Sequence, residues 1–303
     1  MSADAAPVAT VARGVEPPGN LTPSARSSMR FGVGVVPAIS GVVGAVVVLV
    51  ALIGPWLAPH AIAAPVEAPF SSPSGVVPLG TDFLGRDVLS RVLSGGRALV
   101  VLAFVATALV TFVGAAVGLI AGFSKTILGA VIMRICDTLL ILPPILILLV
   151  LATGYGGGNN VLLIAILVTA APFLARVTRA ATLQIVNRAY VEAAVARGER
   201  TWWILAREVA PNISGVLLAY SGLLFVSAVY LSAAASFLGV SAPPPAADWG
   251  RMIQENMGGA DLNAWAVASP AAMLVVLAVS VNLFADGLQR RFASGNARKR
   301  RRR

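Results

Sequence analysis

The chain has 303 residues, 57% hydrophobic and 12% charged, with a mean hydropathy of +0.84 and a formal net charge of +10. That balance excludes an ordinary soluble globular domain and indicates a polytopic membrane protein with one membrane domain, each span needing about 20 residues to cross roughly 30 Å of hydrocarbon. A single cysteine, Cys136, and a single histidine, His60 on a Pro-rich loop, exclude an intramolecular disulfide, a Cys/His metal site and a Ser-His-Asp triad.

Residues 1–36 are rich in Ala, Pro, Ser and Gly with scattered arginines, so a disordered cytoplasmic tail is expected. The first span covers about 37–59, preceded by Arg26 and Arg30. A signal peptide cleaved near Ala61-Ile62-Ala63 is the competing reading, and the length of the run and the spans that follow weigh against it. The polar segment that follows contains Gly85, Arg86 and Asp87; residues 79–91 are read as an amphipathic helix on the outer face, either bracing a partner or capping spans two and five. Span two is placed at 98–122, with Gly114, Gly118 and Gly122 at four-residue spacing. Such a ridge lets a neighbouring backbone approach closely, which favours helix packing over a pore constriction or hinge.

Span three, at 131–152, contains Pro143-Pro144. Two adjacent prolines remove two helix hydrogen bonds, so a kink or a broken helix is expected. Span four follows at 161–177, span five at 213–239 and span six at 264–288. Between the last two, Trp249 is read as an anchor at the membrane interface. The basic tail, 289–303, ends in Arg298-Lys299-Arg300-Arg301-Arg302-Arg303. Just after a span, such a run favours anionic lipid over nucleic acid.

Orientation follows from the distribution of basic residues. An internal N-terminus leaves only Arg86, Arg91, Arg97 and Arg251 outside and the other 19 of the 23 Lys and Arg residues inside. Both termini and the loop at 178–212 are therefore expected in the cytoplasm. Glu192, Ala193 and Ala194 favour a helix, Gly198 interrupts it, and a second helix is expected at 201–209, stopped by Pro211. The small alanines are expected to leave a flat face for a partner, and Gly198 supplies backbone angles closed to other residues. The competing reading is an interfacial hairpin, with Trp202 and Trp203 at headgroup level and Glu192 paired with Arg188.

Neither lysine follows a glycine, so the chain has no Gly-Lys-Ser/Thr phosphate-binding loop and no ATPase site of its own. Asp137 and Asp286 are the acids nearest the spans; both fall close to cytoplasmic ends, where Arg134 and Arg290 are read as their partners. A proton or sodium relay wants an acid nearer the midplane. An ion- or proton-coupled carrier acting without ATPases is kept as the alternative.

The ordered motifs resemble the C-type permease subunit of oligopeptide, dipeptide and nickel ABC importers. They are Leu79-Gly80-Thr81-Asp82, Gly85 to Arg91, Arg134 and Asp137, Ala175-Arg176, Glu192-Ala193-Ala194 with Gly198, Trp202, Ile204, Arg207 and Pro211-Asn212, then Ser236-Phe237-Leu238-Gly239, Pro243-Pro244, Trp249-Gly250 and Asp286-Gly287-Leu288. Their order and spacing hold over residues 79–290. The resemblance implies an all-α bacterial inner-membrane permease of the type I importer fold, with six transmembrane helices and cytoplasmic coupling helices between spans four and five. It further implies a second permease, two cytoplasmic ATPases that bind ATP and Mg, an extracytoplasmic binding protein, and no cofactor or metal in this chain. Arg197, Glu199, Arg200 and Glu208 depart from the family pattern, making the loop more charged and pointing to compensating charges on its ATPase partner.

Overall fold

The computed structural model describes residues 35–124, 126–241 and 245–301, with side chains up to residue 287. The expected tail over 1–34 and the side chains of the basic run lie outside them; Val35 and Val36, assigned to that tail, instead begin the first helix. Among the described residues, five runs are long and apolar enough to cross a membrane: α1 (Val35–Leu57), α2 (Val88–Phe123), α5 (Asn159–Val186), the continuous run Thr201–Phe237, and the first part, Trp265–Gly287, of α10 (Trp265–Arg301). A sixth is a bent pair, α3 (Ile127–Ile141) and α4 (Pro144–Tyr155), meeting at 88°.

The bend lies where the prolines predict a break. Leu142 and Pro143, each preceding a proline, are extended with ψ of 129°, and Pro144 occupies the first turn of α4. A residue before proline is pushed out of the helical region, so two in succession end one helix and aim the next elsewhere.

Helix α2 starts ten residues before the expected span, and residues 79–87 form a folded loop in place of an amphipathic helix. Gly80 and Gly85 have φ of +71° and +76°, and a side chain on Gly85 would strike the Glu67 carbonyl. Those left-handed turns interrupt any helix and let Pro65 and Thr81 bridge to Arg86 and Asp87. Asp87 then caps α2, its carboxylate accepting from Leu89 N and Ser90 N at 3.2 Å.

Among the described helices, the most extensive packing is between α2 and α5. A Cβ at Gly118 would lie 2.5 Å from the Ala175 carbonyl and from Thr178 Cβ; at Gly122 it would lie 2.7 Å from Thr182 Cβ, and at Gly114 2.9 Å from Leu174 Cβ. The glycine ridge is thus the seat of α5, as the packing reading expects. Helix α5 continues to Val186, beyond the expected end at 177, because Thr178, Thr182 and Ile185 remain on its buried side despite Arg176 and Arg179. Trp249 is fully buried, against the interface reading: it opens the short helix α9 (Trp249–Asn256), its indole nitrogen donates to the Val92 carbonyl at 2.7 Å, and Gly95 and Gly96 make room for its ring.

Candidate functional site

Two polar constructions stand out, one at each end of the bundle. The first is the hairpin between α5 and the next span. Helix α6 (Ala189–Ala196) starts almost directly after α5, with Glu192 in its first turn, where the helix dipole favours an acid. Val191 and Ala194 turn inward onto Ile185, Ile204, Val209 and Ile213, leaving Glu192, Ala193, Val195 and Arg197 exposed. Ala194 is therefore an anchor of the hairpin, and only Ala193 of the pair belongs to the outward face; the helical period separates them.

Gly198 ends α6 with φ of +74°. Its N–H donates to the Val195 carbonyl at 3.0 Å and that of Glu199 to Ala194 at 3.3 Å, the double closure of a glycine-terminated helix. Among the described residues, apart from its chain neighbours, no group lies within 4 Å of the place a Gly198 side chain would take, so the backbone angle is what calls for glycine. Arg197 Nη2 and Nε donate to Glu199 Oε1 at 2.7 and 2.9 Å. Two of the departures from the family pattern, Arg197 and Glu199, therefore pair with each other within the loop, and Arg200 remains exposed beside them.

The second half of the hairpin also differs from expectation. Helix α7 (Thr201–Ile204) passes through a π turn (Leu205–Val209) directly into α8 (Ala210–Phe237), so Pro211 does not stop it. The wider turn routes the Ala210 N–H to the Leu205 carbonyl, and the Asn212 side chain donates to Glu208 O at 2.6 Å, which lets proline enter at the start of α8. Trp202 and Trp203 stand exposed, their rings 5.1 Å apart and edge-on, with the Arg207 guanidinium 5.4 Å above Trp203. Among the described ion pairs, none joins Glu192 to Arg188.

At the opposite end, the 79–87 loop and α9 are joined by buried charge. Asp82 accepts from Arg86 Nε at 2.7 Å and lies 3.3 Å from Arg91 Nε, while Glu255 of α9 lies 3.4 and 3.3 Å from the same two arginines. Asn256 accepts from Phe83 N at 3.0 Å, and Asn263 donates to the Leu79 and Thr81 carbonyls at 3.0 Å. Asp248 caps α9, and burial pushes its carboxyl above the usual aspartate range despite hydrogen bonds from Ser236, Arg251 N and Gly250 N. His60, read as a plain loop residue, meets Asp87 Oδ2 through Nδ1 at 3.1 Å. Sequence spacing gave no sign of the links to Glu255, Asn256 and Asn263, because those partners lie more than 160 residues from the loop.

Asp137 pairs with Arg176 at 3.5 Å and not with Arg134, because packing of α3 on α5 brings Arg176 to it. The expected partner of Asp286, Arg290, lies outside the described side chains.

The family described as "Binding-protein-dependent transport system inner membrane component" matches residues 114–294, which include the α2 glycine ridge, the bent pair and the hairpin. The chain belongs to that family. Relatives of the permease include the di/tripeptide transport system permease protein DppC of Pseudomonas aeruginosa, 32% identical with 80% of this chain and 82% of the relative covered. The probable D,D-dipeptide transport system permease protein DdpC of Escherichia coli is 31% identical, over 82% of this chain and 84% of its own. Among solved structures, a chain of the inward-facing MetNI methionine ABC transporter superimposes with a TM-score of 0.54 at 21% identity, covering 68% of the permease and 96% of that chain. The permease has the type I importer fold seen there.

Proposed function

We propose that the permease forms, with a second homologous permease, the path by which an ATP-driven importer carries di- or oligopeptides across the bacterial inner membrane. An extracytoplasmic binding protein delivers the cargo, and two cytoplasmic ATPases, which bind ATP and Mg, drive the cycle; the chain supplies no ATPase site. Both termini and the 192–198 hairpin face the cytoplasm. The observation that carries this reading is the hairpin itself: a short helix closed by Gly198, held on Ile185, Ile204 and Ile213, with Glu192 and Ala193 facing outward. An element anchored on α5 and α8 and exposed at its tip transmits a push on the tip to two membrane helices. Peptide cargo is supported by the relatives named for di- and tripeptide transport.

The test is reconstitution of the permease with a sister permease, the ATPases and a binding protein. ATP-dependent accumulation of a dipeptide in proteoliposomes is expected. Transport by the purified chain alone under an ion gradient would establish the ion-coupled alternative instead.

A further inference from the structure

On α5, residues Ile166, Thr169, Phe173, Arg176, Ala180 and Leu183 follow one another at alternating three- and four-residue steps, so they share one face of the helix. The first three line a chamber of about 680 Å³ between α4, α5, α8 and α10, whose wall includes Tyr230 and Leu274. At its end nearest the hairpin, the Phe173 ring meets Tyr220 of α8 at 5.9 Å. The last three, with Arg179, line a smaller cavity of about 190 Å³ closed by Met133 and Asp137 of α3. One helix face therefore leads from an apolar chamber, past an aromatic pair, to two arginines and an acid.

The charges there are unbalanced. Arg176 Nη1 lies 3.5 Å from Asp137 Oδ1, and both side chains are about half exposed. Among the described ion pairs none involves Arg179, whose Nε is buried without a hydrogen-bond partner among the described residues. An orphaned guanidinium N–H is costly and is satisfied by an anion with two in-plane oxygens. We infer that the Asp137, Arg176 and Arg179 cavity is a cytoplasmic exit subsite that takes the C-terminal carboxylate of a peptide on Arg179 and Arg176, with Asp137 facing its amino end. This rests on the peptide reading above. Arg179 and Arg176 form the carboxylate clamp, and Asp137 keeps the site from holding an inorganic anion as tightly as a zwitterion.

The test uses the assembled, nucleotide-free complex in nanodiscs without binding protein, with alanyl-alanine and its C-terminal amide as probes in equilibrium dialysis. The acid is expected to bind at millimolar concentration, and the amide or the Arg179→Gln variant to weaken binding about tenfold, the loss of one charge-assisted hydrogen bond. Arg179→Lys, which keeps the charge, is expected to recover part of that loss, separating the clamp from a folding defect. Equal binding of acid and amide, or no change in Arg179→Gln, overturns the subsite. So does an Arg179→Gln complex that loses its sister permease during purification while still binding the acid normally, since the guanidinium then serves a partner's carboxylate. The peptide reading fails separately, if the wild-type complex accumulates no di- or oligopeptide yet binds acetate through Arg179.

Discussion

Arg91 and Glu255 meet at 3.3 Å although 164 residues of chain separate them. Their pairing ties the start of α2 to α9 and so fastens the 79–87 loop to α9. Glu255→Gln keeps the shape but removes a charge shared by Arg86 and Arg91, both nearly buried. Breaking a buried pair from one side costs about 3 kcal/mol. Chemical denaturation of the detergent-solubilised permease is expected to show that loss, with faster proteolysis in the 79–87 loop.

The α2–α5 seam offers a second prediction. Gly118→Ala places a methyl 2.5 Å from the Ala175 carbonyl, a backbone atom that yields only if α5 moves. Overpacking of this kind costs about 1–3 kcal/mol. Gly154→Ala, where among the described residues nothing beyond its own helix lies within 4 Å, is the matched control and is expected to leave the unfolding midpoint nearly unchanged.

Asp248 gives a pH dependence of definite sign. Burial raises its folded-state pKa, so the folded chain holds a proton that the unfolded chain has already released. Its contribution to stability is present at low pH and is lost as pH rises from about 3.9 through the raised folded value. Asp248→Asn retains a side chain able to cap α9 and removes the titration. The difference in unfolding midpoint between variant and wild type is expected to grow in favour of the variant as pH rises across that window.

What the sequence made legible was whatever a local period or a chain-breaking residue encodes. The apolar runs mark the spans, Pro143-Pro144 marks the bend, and Gly114, Gly118 and Gly122 mark the face that receives α5. Gly198 marks the end of α6 for the same reason. Contacts made by distant residues were not legible. Trp249 is an interface residue by composition and a buried one by virtue of Gly95, Gly96 and the Val92 carbonyl, some 157 residues upstream. Pro211 reads as a stop until the π turn before it is seen, and Ala194 reads as surface until Ile204 and Val209 cover it.

The hairpin carries the central claim, and the most direct measurement is peptide uptake with peptide-stimulated ATPase activity in the reconstituted complex bearing Glu192→Lys or Gly198→Pro. Proline cannot adopt the φ of +74° at position 198, and lysine reverses the charge on the exposed face of α6. The account predicts that both variants assemble in the membrane, lose most uptake, and no longer stimulate ATP hydrolysis in response to peptide. Uptake and stimulated hydrolysis at wild-type levels in both variants would contradict it.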